Sequence, residues 1–330
     1  MKPDYFGDEN NFKKYENIKS NLIIEGKVKN PKITIAIPTY RRDNLLKEAL
    51  LSAINQKDYS NYNIIVVDND DSENRDVEKM ILALNSEKVS YYKNEKNIGM
   101  FGNWNRCIEL ADGEYLSILN DDDWLEKNFL IEISKYIDDS KKIVYSEYKI
   151  HDRRIKNELR EKNNILKSFY YKVKKIKKIR NLNIIDFFFF NRSAGTLGMI
   201  FHRNSMFHLG GYNEENFPSA DYFFHAKYCY YFGAKILKKE LGNYRIQQNE
   251  SMNPKTASLW PNQSELFREY LIEKLQLNDY FNKLNQSLTE YNKKSINKMW
   301  KTNISYDIKK IRVKYIYYCR IREILKNIFG

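Results

Sequence analysis

Short apolar runs alternate with amphipathic stretches through the first half of the chain. The runs that are rich in β-branched and aromatic residues lie at 33–38, 63–67, 89–93, 115–119 and 143–148. Their length and composition predict buried strands. Between them, apolar residues recur at helical spacing over about 43–54, 72–84, 99–111 and 126–137. Strands that are apolar throughout indicate a sheet covered by helices on both faces, so the pattern predicts an α/β fold with a mostly parallel sheet.

The second half of the chain departs from this alternation. Residues 150–180 are basic and polar, and we interpret them as an insertion or long loop. Regular secondary structure is predicted again from residue 181. It comprises a strand over 196–201, a helix over 221–232 and two short strands at 235–237 and 243–246. From about residue 263 to the end, the sequence has no Pro and little Gly, which predicts helices.

Composition and charge narrow the function classes. The 330 residues are 42% apolar and include 26 Tyr, 18 Phe and 4 Trp, which excludes an intrinsically disordered chain. Residues 149–180 carry a net charge of +10 and residues 291–330 carry +9, whereas the whole chain carries only +13. A mildly acidic body with two basic segments points to nucleic acid, an anionic membrane surface or an anionic substrate. Three widely separated cysteines predict no disulfide framework and fit a reducing compartment.

Carboxylates follow two of the predicted strands. Asp68 ends the run at 63–67, and Asp121, Asp122 and Asp123 follow the run at 115–119. Ligands of parallel sheets bind at the carboxyl ends of strands, so we expect these side chains to share one crevice. Three adjacent carboxylates repel one another, and a hard divalent ion such as Mg²⁺ or Mn²⁺ would neutralise them. The alternative is an acidic turn before a helix for the triplet, and a turn-forming residue for Asp68.

Four motifs in order resemble the nucleotide-sugar half of family 2 glycosyltransferases over about residues 31–130. They are Ile33 to Arg42, Val66 to Asn69, Asn97-Ile98-Gly99, and Leu119 to Trp124. A weaker match to the acceptor half continues through 201–203, 209–214 and 219–222. No G-x-G-x-x-G or Walker A motif is present. The resemblance implies the GT-A fold, a Rossmann-like mixed, mostly parallel sheet flanked by helices, here with a helical C-terminal extension.

The resemblance also implies roles for individual residues in donor binding. Asp68 would recognise the base, in a pocket lined by Pro38, Thr39 and Tyr40. The acidic motif Asp121-Asp122-Asp123 would bind the ribose and the Mn²⁺ or Mg²⁺ that holds the diphosphate. The remaining residues predicted to bind the donor are Arg42, Asn97, Gly99 and Asn103.

Asp221 stands where the family has its catalytic base, which implies an inverting transfer of a single sugar. Two departures from the family pattern are Ala220, where an acidic residue is frequent, and Asn120 at the first position of the acidic motif. The Q-x-x-R-W motif of processive synthases is absent. The expected donor is a nucleotide sugar, with a UDP-sugar favoured. The expected acceptor is a glycan, a lipid-linked sugar or a glycoprotein, in the synthesis of surface polysaccharide, glycolipid or glycoprotein glycans.

Three other functions are kept open at this point. A sugar nucleotidyltransferase would need a Gly-rich loop after the first strand, where this chain has Pro38 to Arg42. A catalytically inactive, donor-binding relative fits the Ala220 departure. A nucleic-acid-binding protein fits the basic pI of about 9.2, but no nucleic-acid-binding motif is present, and we expect no nucleic-acid partner.

The predicted organisation has three parts. Residues 1–30 form an N-terminal extension, residues 31–255 the GT-A domain and residues 256–330 a helical basic region. Within the GT-A domain, the nucleotide-sugar half is 31–130, the basic insertion 150–180 and the acceptor half 181–255. In the last 30 residues, apolar and basic positions predict an amphipathic helix that either contacts an anionic membrane or packs on the domain. With no predicted signal peptide or spanning segment, we expect a cytoplasmic location, peripheral on the inner face of the cell membrane.

Overall fold

The computed structural model describes residues 3–154, 178–191, 195–247, 249–300, 302–306 and 313–329. Most of the predicted basic insertion lies outside these residues. Within them, no helix is long and apolar enough to cross a membrane.

The strands are β1 (Ser20–Ile24), β2 (Ile33–Thr39), β3 (Tyr62–Asp68), β4 (Val89–Asn94), β5 (Tyr115–Ile118), β6 (Trp124–Leu125), β7 (Ile143–Asp152), β8 (Ile179–Leu182), β9 (Met199–His202) and β10 (Ala234–Ile246). The helices are α1 (Asp43–Ile54), α2 (Asp76–Leu84), α3 (Gly99–Leu110), α4 (Phe129–Ile133), α5 (Ile184–Phe189), α6 (Arg203–His208), α7 (Ala220–Phe232), α8 (Pro254–Lys274), α9 (Asp279–Trp300) and α10 (Val313–Phe329).

The strands form one mixed sheet in the order β1-β4-β3-β2-β5-β9-β7-β10-β6, and β8 also pairs with β10. The central strands β4, β3, β2 and β5 are parallel, and β7 is parallel to β10. Strand β9 is antiparallel to both of its neighbours, β5 and β7. The predicted α/β sheet with parallel central strands is therefore confirmed.

Two hydrophobic cores cover the two faces of the sheet. On one face, α1 and α2 pack against alternate residues of β2 and β3, such as Ile35 and Ile64. On the other face, α3 and α7 pack against residues such as Ala36 and Ile65. Because both faces are covered, every residue of β2 and β3 is buried, which explains their continuously apolar sequence.

The N-terminal 30 residues are built into this fold. Phe6 and Phe12 lie in the same core as α3 and α7, and β1 pairs antiparallel with β4 at the edge of the sheet. Gly210, in the turn after α6, has a φ of +83°, and a Cβ there would lie 1.8 Å from the carbonyl oxygen of Glu9. Glycine is therefore required where the N-terminal segment crosses this turn.

Two predicted elements have different bounds in the structure. The predicted strands at 235–237 and 243–246 are one strand, β10, whose register with β7 shifts on either side of Glu240. The predicted helix over 126–137 is reduced to α4 and a 3-10 turn, Ser134–Tyr136. Residues 126 and 127 are held instead by the segment that follows α1, because Gln56 donates its amide to the Glu126 carbonyl and Lys57 N–H donates to the Lys127 carbonyl.

Helix α10 packs on the body through its charged side chains. Glu323 pairs with the buried guanidinium of Arg180 at 3.0 Å. Asp186, which is fully buried, accepts Arg322 at 3.0 Å and Lys326 at 2.7 Å. Burial alone would raise the pKa of Asp186. The hydrogen bond from Lys326 and the positive charges of Lys326 and Arg322 outweigh this effect and hold the pKa below its usual value. The C-terminal helix is thus anchored by buried ion pairs.

The outward face of α10 is apolar. Tyr317, Ile321 and Leu325 are 59%, 54% and 49% exposed, whereas Tyr315 is buried. The sequence pattern predicts an amphipathic helix here but not which of its sides faces the body. In the structure, the charged side chains of Arg322, Glu323 and Lys326 are turned toward buried Asp186 and Arg180.

Candidate functional site

The carboxyl ends of β2, β3 and β5 bring the predicted site residues together. Thr39 and Asp68 are register partners at the ends of β2 and β3, and β5 runs parallel on the other side of β2. The Thr39 hydroxyl donates to Asp121 Oδ2 at 2.8 Å, and Asn69 N–H donates to the Thr39 carbonyl at 2.9 Å. Sequence positions about 80 residues apart thus meet in one crevice, as the topology predicts.

Asp68 lies at the floor of this crevice and is 2% exposed. Its Oδ2 accepts the Tyr91 hydroxyl at 2.8 Å, and its Oδ1 accepts the Asp70 N–H at 2.9 Å. Burial raises its pKa, although these two hydrogen bonds oppose the shift. Tyr91 and the following turn therefore fix the direction of a carboxylate that retains acceptor capacity. Nearby, Arg41 stacks over the Tyr40 ring, 5.0 Å from its centroid, and pairs with Asp70 at 3.0 Å.

Asn69 connects the β3 end to the start of α3. Its amide donates to Asn97 Oδ1 at 2.7 Å, and its own Oδ1 accepts Ile98 N–H at 3.0 Å. Gly99, the first residue of α3, has a φ of +74°, which glycine adopts readily. Asn103 is 3% exposed, and its amide donates to the Val67 carbonyl at 3.0 Å. This hydrogen bond stabilises the end of β3. A donor contact of Asn97, Gly99 or Asn103 stays a prediction.

Arg42 joins two of the adjacent carboxylates. Its guanidinium lies 3.4 Å from Asp121 Oδ1 and 3.1 Å from Asp122 Oδ2. Burial and then the neighbouring Asp122 raise the pKa of Asp121 to about 6, against the opposing influence of Arg42, Thr39 and the Tyr40 N–H. Burial also raises the pKa of Asp122. The positive charge of Arg42 therefore only partly offsets the effect of burial on the pKa values of Asp121 and Asp122.

Asp123 has the least satisfied carboxylate of the three. It is 1% exposed, and its Oδ1 accepts Arg245 N–H at 2.9 Å. Its Oδ2 is buried and has no hydrogen-bond partner among the described residues. Burial and then Asp122 raise the pKa of Asp123 well above its usual value, although hydrogen bonds from the Arg245 N–H and the Asn120 side chain oppose the shift. An unpartnered, buried carboxylate oxygen is costly unless a cation occupies the space in front of it.

Mn²⁺ or Mg²⁺ fits the chemistry of Asp122 and Asp123, since both ions prefer carboxylate oxygens. Within the described ranges, no three His, Cys, Asp or Glu side chains are arranged around one metal position. An ion at this point would therefore use fewer than three side chains and complete its ligands with oxygens of substrate or water. Asp121 is already engaged by Thr39 and Arg42, so it is the least available of the three predicted ligands.

Arg245 is the main site residue without a role in the sequence-based prediction. Besides its bond to Asp123, its Nε donates to the Asp122 carbonyl at 2.8 Å and its Nη2 pairs with Glu48. Asn249 adds an amide 3.4 Å from Asp122 Oδ2 and 2.9 Å from the Arg245 carbonyl. The path of β10 brings Arg245 to the acidic cluster, and no local pattern in the sequence marks that contact.

Asp221 lies in the first turn of α7, as predicted, and is partly exposed. Burial raises its pKa to about 7, although the N–H groups of Tyr222 and of Asp221 itself lower it. Its negative charge contributes to the raised pKa of two buried phenols, Tyr145 and Tyr212. Ala220 beside it is 1% exposed, so the acidic residue that is frequent in the family would be buried here. A carboxyl with a pKa near 7 and an accessible face is suited to proton transfer.

Several solved structures share this fold. The 1–349 fragment of S. aureus TarS in complex with UDP-GlcNAc aligns with a TM-score of 0.56 and 14% identity, covering 90% of this chain and 81% of that chain. The mannosyltransferase PcManGT of Pyrobaculum calidifontis, in complex with GDP-Man and Mn²⁺, aligns with a TM-score of 0.53 and 12% identity, covering 96% and 91%. These neighbours are GT-A glycosyltransferases, which confirms the predicted GT-A fold.

Curated relatives match parts of the chain. The putative colanic acid biosynthesis glycosyl transferase WcaA of Escherichia coli is 37% identical over 94 residues, 28% of this chain and 33% of WcaA. The GalNAc(5)-diNAcBac-PP-undecaprenol beta-1,3-glucosyltransferase of Campylobacter jejuni is 33% identical over 96 residues, 29% of this chain and 31% of that enzyme. The matches thus span about a third of these relatives. The sequence model for Glycosyl transferase family 2 matches residues 34–201, about half of the chain, and this protein therefore belongs to that family.

Proposed function

We propose that this protein is an inverting glycosyltransferase that transfers a single sugar from a nucleotide-sugar donor to an acceptor hydroxyl, with Mn²⁺ or Mg²⁺ bound. The observation that carries the proposal is the convergence of Asp68 and the Asp121–Asp123 cluster at one edge of the sheet, with Asp221 at the start of α7, which packs on the same sheet. A UDP-sugar is the favoured donor. The acceptor class is a glycan, a lipid-linked sugar or a glycoprotein.

Donor binding follows from the directions of the polar groups. Asp68, fixed by Tyr91, presents a carboxylate that would accept an N–H of the base, and Pro38, Thr39 and Tyr40 form the adjoining wall. Asp121 and Arg42 would contact the ribose and phosphate oxygens. Asp122 and Asp123 would hold the ion, which, when bound, offsets the negative charge of the leaving diphosphate.

Asp221 supplies the proton acceptor. As a carboxylate, it would take the proton of the acceptor hydroxyl while that oxygen attacks the anomeric carbon and the diphosphate leaves from the opposite face. The direct displacement inverts the anomeric centre and needs no second carboxylate. The raised pKa of Asp221, about 7, makes it a stronger base than an exposed carboxylate and leaves about half of it ionised at pH 7.

A donor panel tests the proposal. Thermal unfolding is measured with UDP-, GDP- and dTDP-sugars, each with Mn²⁺ and each with EDTA. We expect at least one nucleotide sugar to raise the melting temperature, and to do so more strongly with Mn²⁺. The proposal fails if no member of the panel changes the melting temperature under either condition.

Asp68→Asn should weaken donor affinity by about tenfold, because it replaces a charge-assisted hydrogen bond to the base with a neutral one. The amide keeps the size of the side chain and can still accept the Tyr91 hydroxyl, so the fold should be retained. Binding of the free nucleoside diphosphate, measured by calorimetry, gives the change directly. Asp71→Asn, at a largely exposed carboxylate three residues away, is the control. Equal affinities for the two variants would exclude Asp68 from base recognition.

We further propose that the outward face of α10 contacts an anionic membrane, which would place the enzyme peripherally on the cytoplasmic face. Tyr317, Ile321 and Leu325 form an exposed apolar stripe, and Lys314 and Arg320 are exposed beside it. Apolar residues flanked by cations favour the interface of an anionic bilayer. The buried ion pairs of α10 leave this face free, since they lie on the opposite side of the helix.

Vesicle flotation tests this face without removing the helix. Ile321→Asp combined with Leu325→Asp should reduce flotation with phosphatidylglycerol vesicles by about tenfold or more, because the apolar contact is lost and like charge is introduced. Leu82→Asp combined with Leu259→Asp makes the same change at two exposed leucines on α2 and α8 and should float normally. If both double variants float equally, α10 does not dock on the membrane.

A further inference from the structure

A cavity of about 780 Å³ lies beyond the carboxyl ends of β7 and β10, outside the crevice described above. Its walls come from three places in the chain. Arg154 follows β7, Met252 and Lys255 lie around the start of α8, and Trp300 and Ile304 lie at and after the end of α9. Trp300 also belongs to a small hydrophobic core with Ile246 at the end of β10.

The cavity wall has hydrogen-bond donors without acceptors. Asp152 accepts Arg154 Nε at 2.8 Å and Nη2 at 2.7 Å, which fixes the plane of the guanidinium. Arg154 Nη1 is buried and has no partner among the described residues. The same is true of the indole Nε1 of Trp300, a residue that is only 7% exposed. Buried donors without partners are unfavourable. Both atoms expose almost no surface in this conformation, so a ligand that supplies acceptor oxygens to them must be accompanied by a small movement of the wall.

The remaining wall residues define the rest of the ligand. Lys255 adds a second cation. Asp152 balances the charge of Arg154, and no carboxylate is among the described residues that line the cavity, so this wall is positive. Met252, Ile304 and the Trp300 ring supply apolar surface. A sugar ring presents C–H groups to an aromatic or aliphatic wall and can carry an acidic substituent. Charge and shape together therefore favour an acidic sugar over a neutral one.

The cavity is connected to the acidic cluster by a short stretch of chain. Arg245, which holds Asp123, is followed by Ile246 of the small core. Asn249, whose amide contacts Asp122, is three residues before Met252 of the cavity wall. We propose that this cavity binds an acidic sugar unit of the acceptor, through a carboxylate or phosphate that Arg154, Lys255 and Trp300 recognise. This inference rests on the proposed transferase function, because only then does a second substrate bind beside the donor.

The test compares three sugars on the full chain by calorimetry. They are p-nitrophenyl β-glucuronide, which carries a carboxylate, glucose 1-phosphate, and the neutral p-nitrophenyl β-glucoside. We expect at least one of the two acidic sugars to bind about tenfold more tightly than the glucoside, as a charge-assisted hydrogen bond predicts. An advantage for the glucuronide alone identifies a carboxylate ligand, and an advantage for glucose 1-phosphate alone identifies a phosphate.

Substitutions assign the binding to this cavity. Lys255→Gln, at an exposed side chain whose loss should not affect folding, and Trp300→Phe, which keeps the ring but removes the N–H, should each abolish most of the advantage. Lys274→Gln at the far end of α8 should not. The proposal is overturned if neither acidic sugar is preferred, or if the preference survives both substitutions. Mn²⁺-dependent binding of UDP, measured on the same samples, reports separately on the proposed function.

Discussion

Asp221→Asn should lower kcat by about 10²–10⁴-fold while donor affinity stays within twofold of the wild-type value. The amide is nearly the same size as the carboxylate and can still accept the N–H of Tyr222, but it cannot remove a proton from the acceptor hydroxyl. Because Asp221 lies on α7 and not in the Asp121–Asp123 cluster, its loss should leave metal and diphosphate binding intact. Steady-state rates and nucleotide calorimetry on the same preparation separate the two effects.

Glu215→Gln provides the control for this substitution. Glu215 is an exposed carboxylate six residues before Asp221, in the 3-10 turn that precedes α7. It should retain wild-type kcat. If Asp221→Asn also kept full kcat, or lost donor affinity in parallel with rate, Asp221 would not be the base.

The pH dependence of the transfer rate should follow the ionisation of Asp221. Asp221 acts as a carboxylate, and burial raises its pKa to about 7. The rate should therefore fall about tenfold per pH unit below 7 and level off above it. Asp121, with a pKa of about 6, should add a second loss at lower pH through weaker donor binding. A profile that is flat from pH 5 to pH 8 would contradict the assignment.

Asp123→Asn should abolish the Mn²⁺-dependent part of nucleotide binding, because it removes the carboxylate whose Oδ2 is buried without a partner. The same substitution should not destabilise the metal-free protein, since it replaces a buried, ionisable carboxyl with a group that stays neutral at every pH. The expected result is thus a melting temperature equal to or above that of the wild type without metal, and no further rise with Mn²⁺ and UDP. A merely structural role for Asp123 predicts the opposite, a lower melting temperature with the metal response retained.

The stability of the metal-free protein should also depend on pH through Asp123. The pKa of Asp123 is raised in the folded protein, so the folded state binds its proton more tightly than the unfolded state does. The carboxyl therefore favours folding at acid pH, and this contribution is lost as the pH rises past the unfolded value near 4 toward the folded pKa. Mn²⁺ competes with the proton, so its stabilising effect should grow as the pH rises. Asp71→Asn should leave this dependence unchanged.

Much of the fold could be predicted because local patterns determine it. The buried strands β2, β3 and β5 are short and continuously apolar, and the polar residues at their carboxyl ends mark the crevice without any tertiary information. The positions of Asp68 and Asp121 follow from that topology, whereas Asp221 is identified only through the family resemblance. Asp68 and Asp121 can therefore be predicted from features that single chain segments carry.

The parts that could not be predicted depend on contacts between distant segments. Residues 126 and 127 are withdrawn from a helix by Gln56 and Lys57 of the segment that follows α1. The charged face of α10 turns inward only because Asp186 and Arg180 are buried beneath it. Arg245 reaches Asp123 through the path of β10, whose register shifts near Glu240 cannot be deduced from its sequence.

Release of nucleoside diphosphate is the most direct measurement of the central claim, that this crevice activates a nucleotide sugar for transfer with metal and a carboxylate base. The protein is incubated with each member of the donor panel and Mn²⁺, with water or a hydroxylated acceptor as the nucleophile, and the diphosphate released is quantified. The account predicts that at least one donor is turned over, and that both EDTA and Asp221→Asn suppress the release. Turnover that is unaffected by both treatments, or none with any donor that binds, would contradict it.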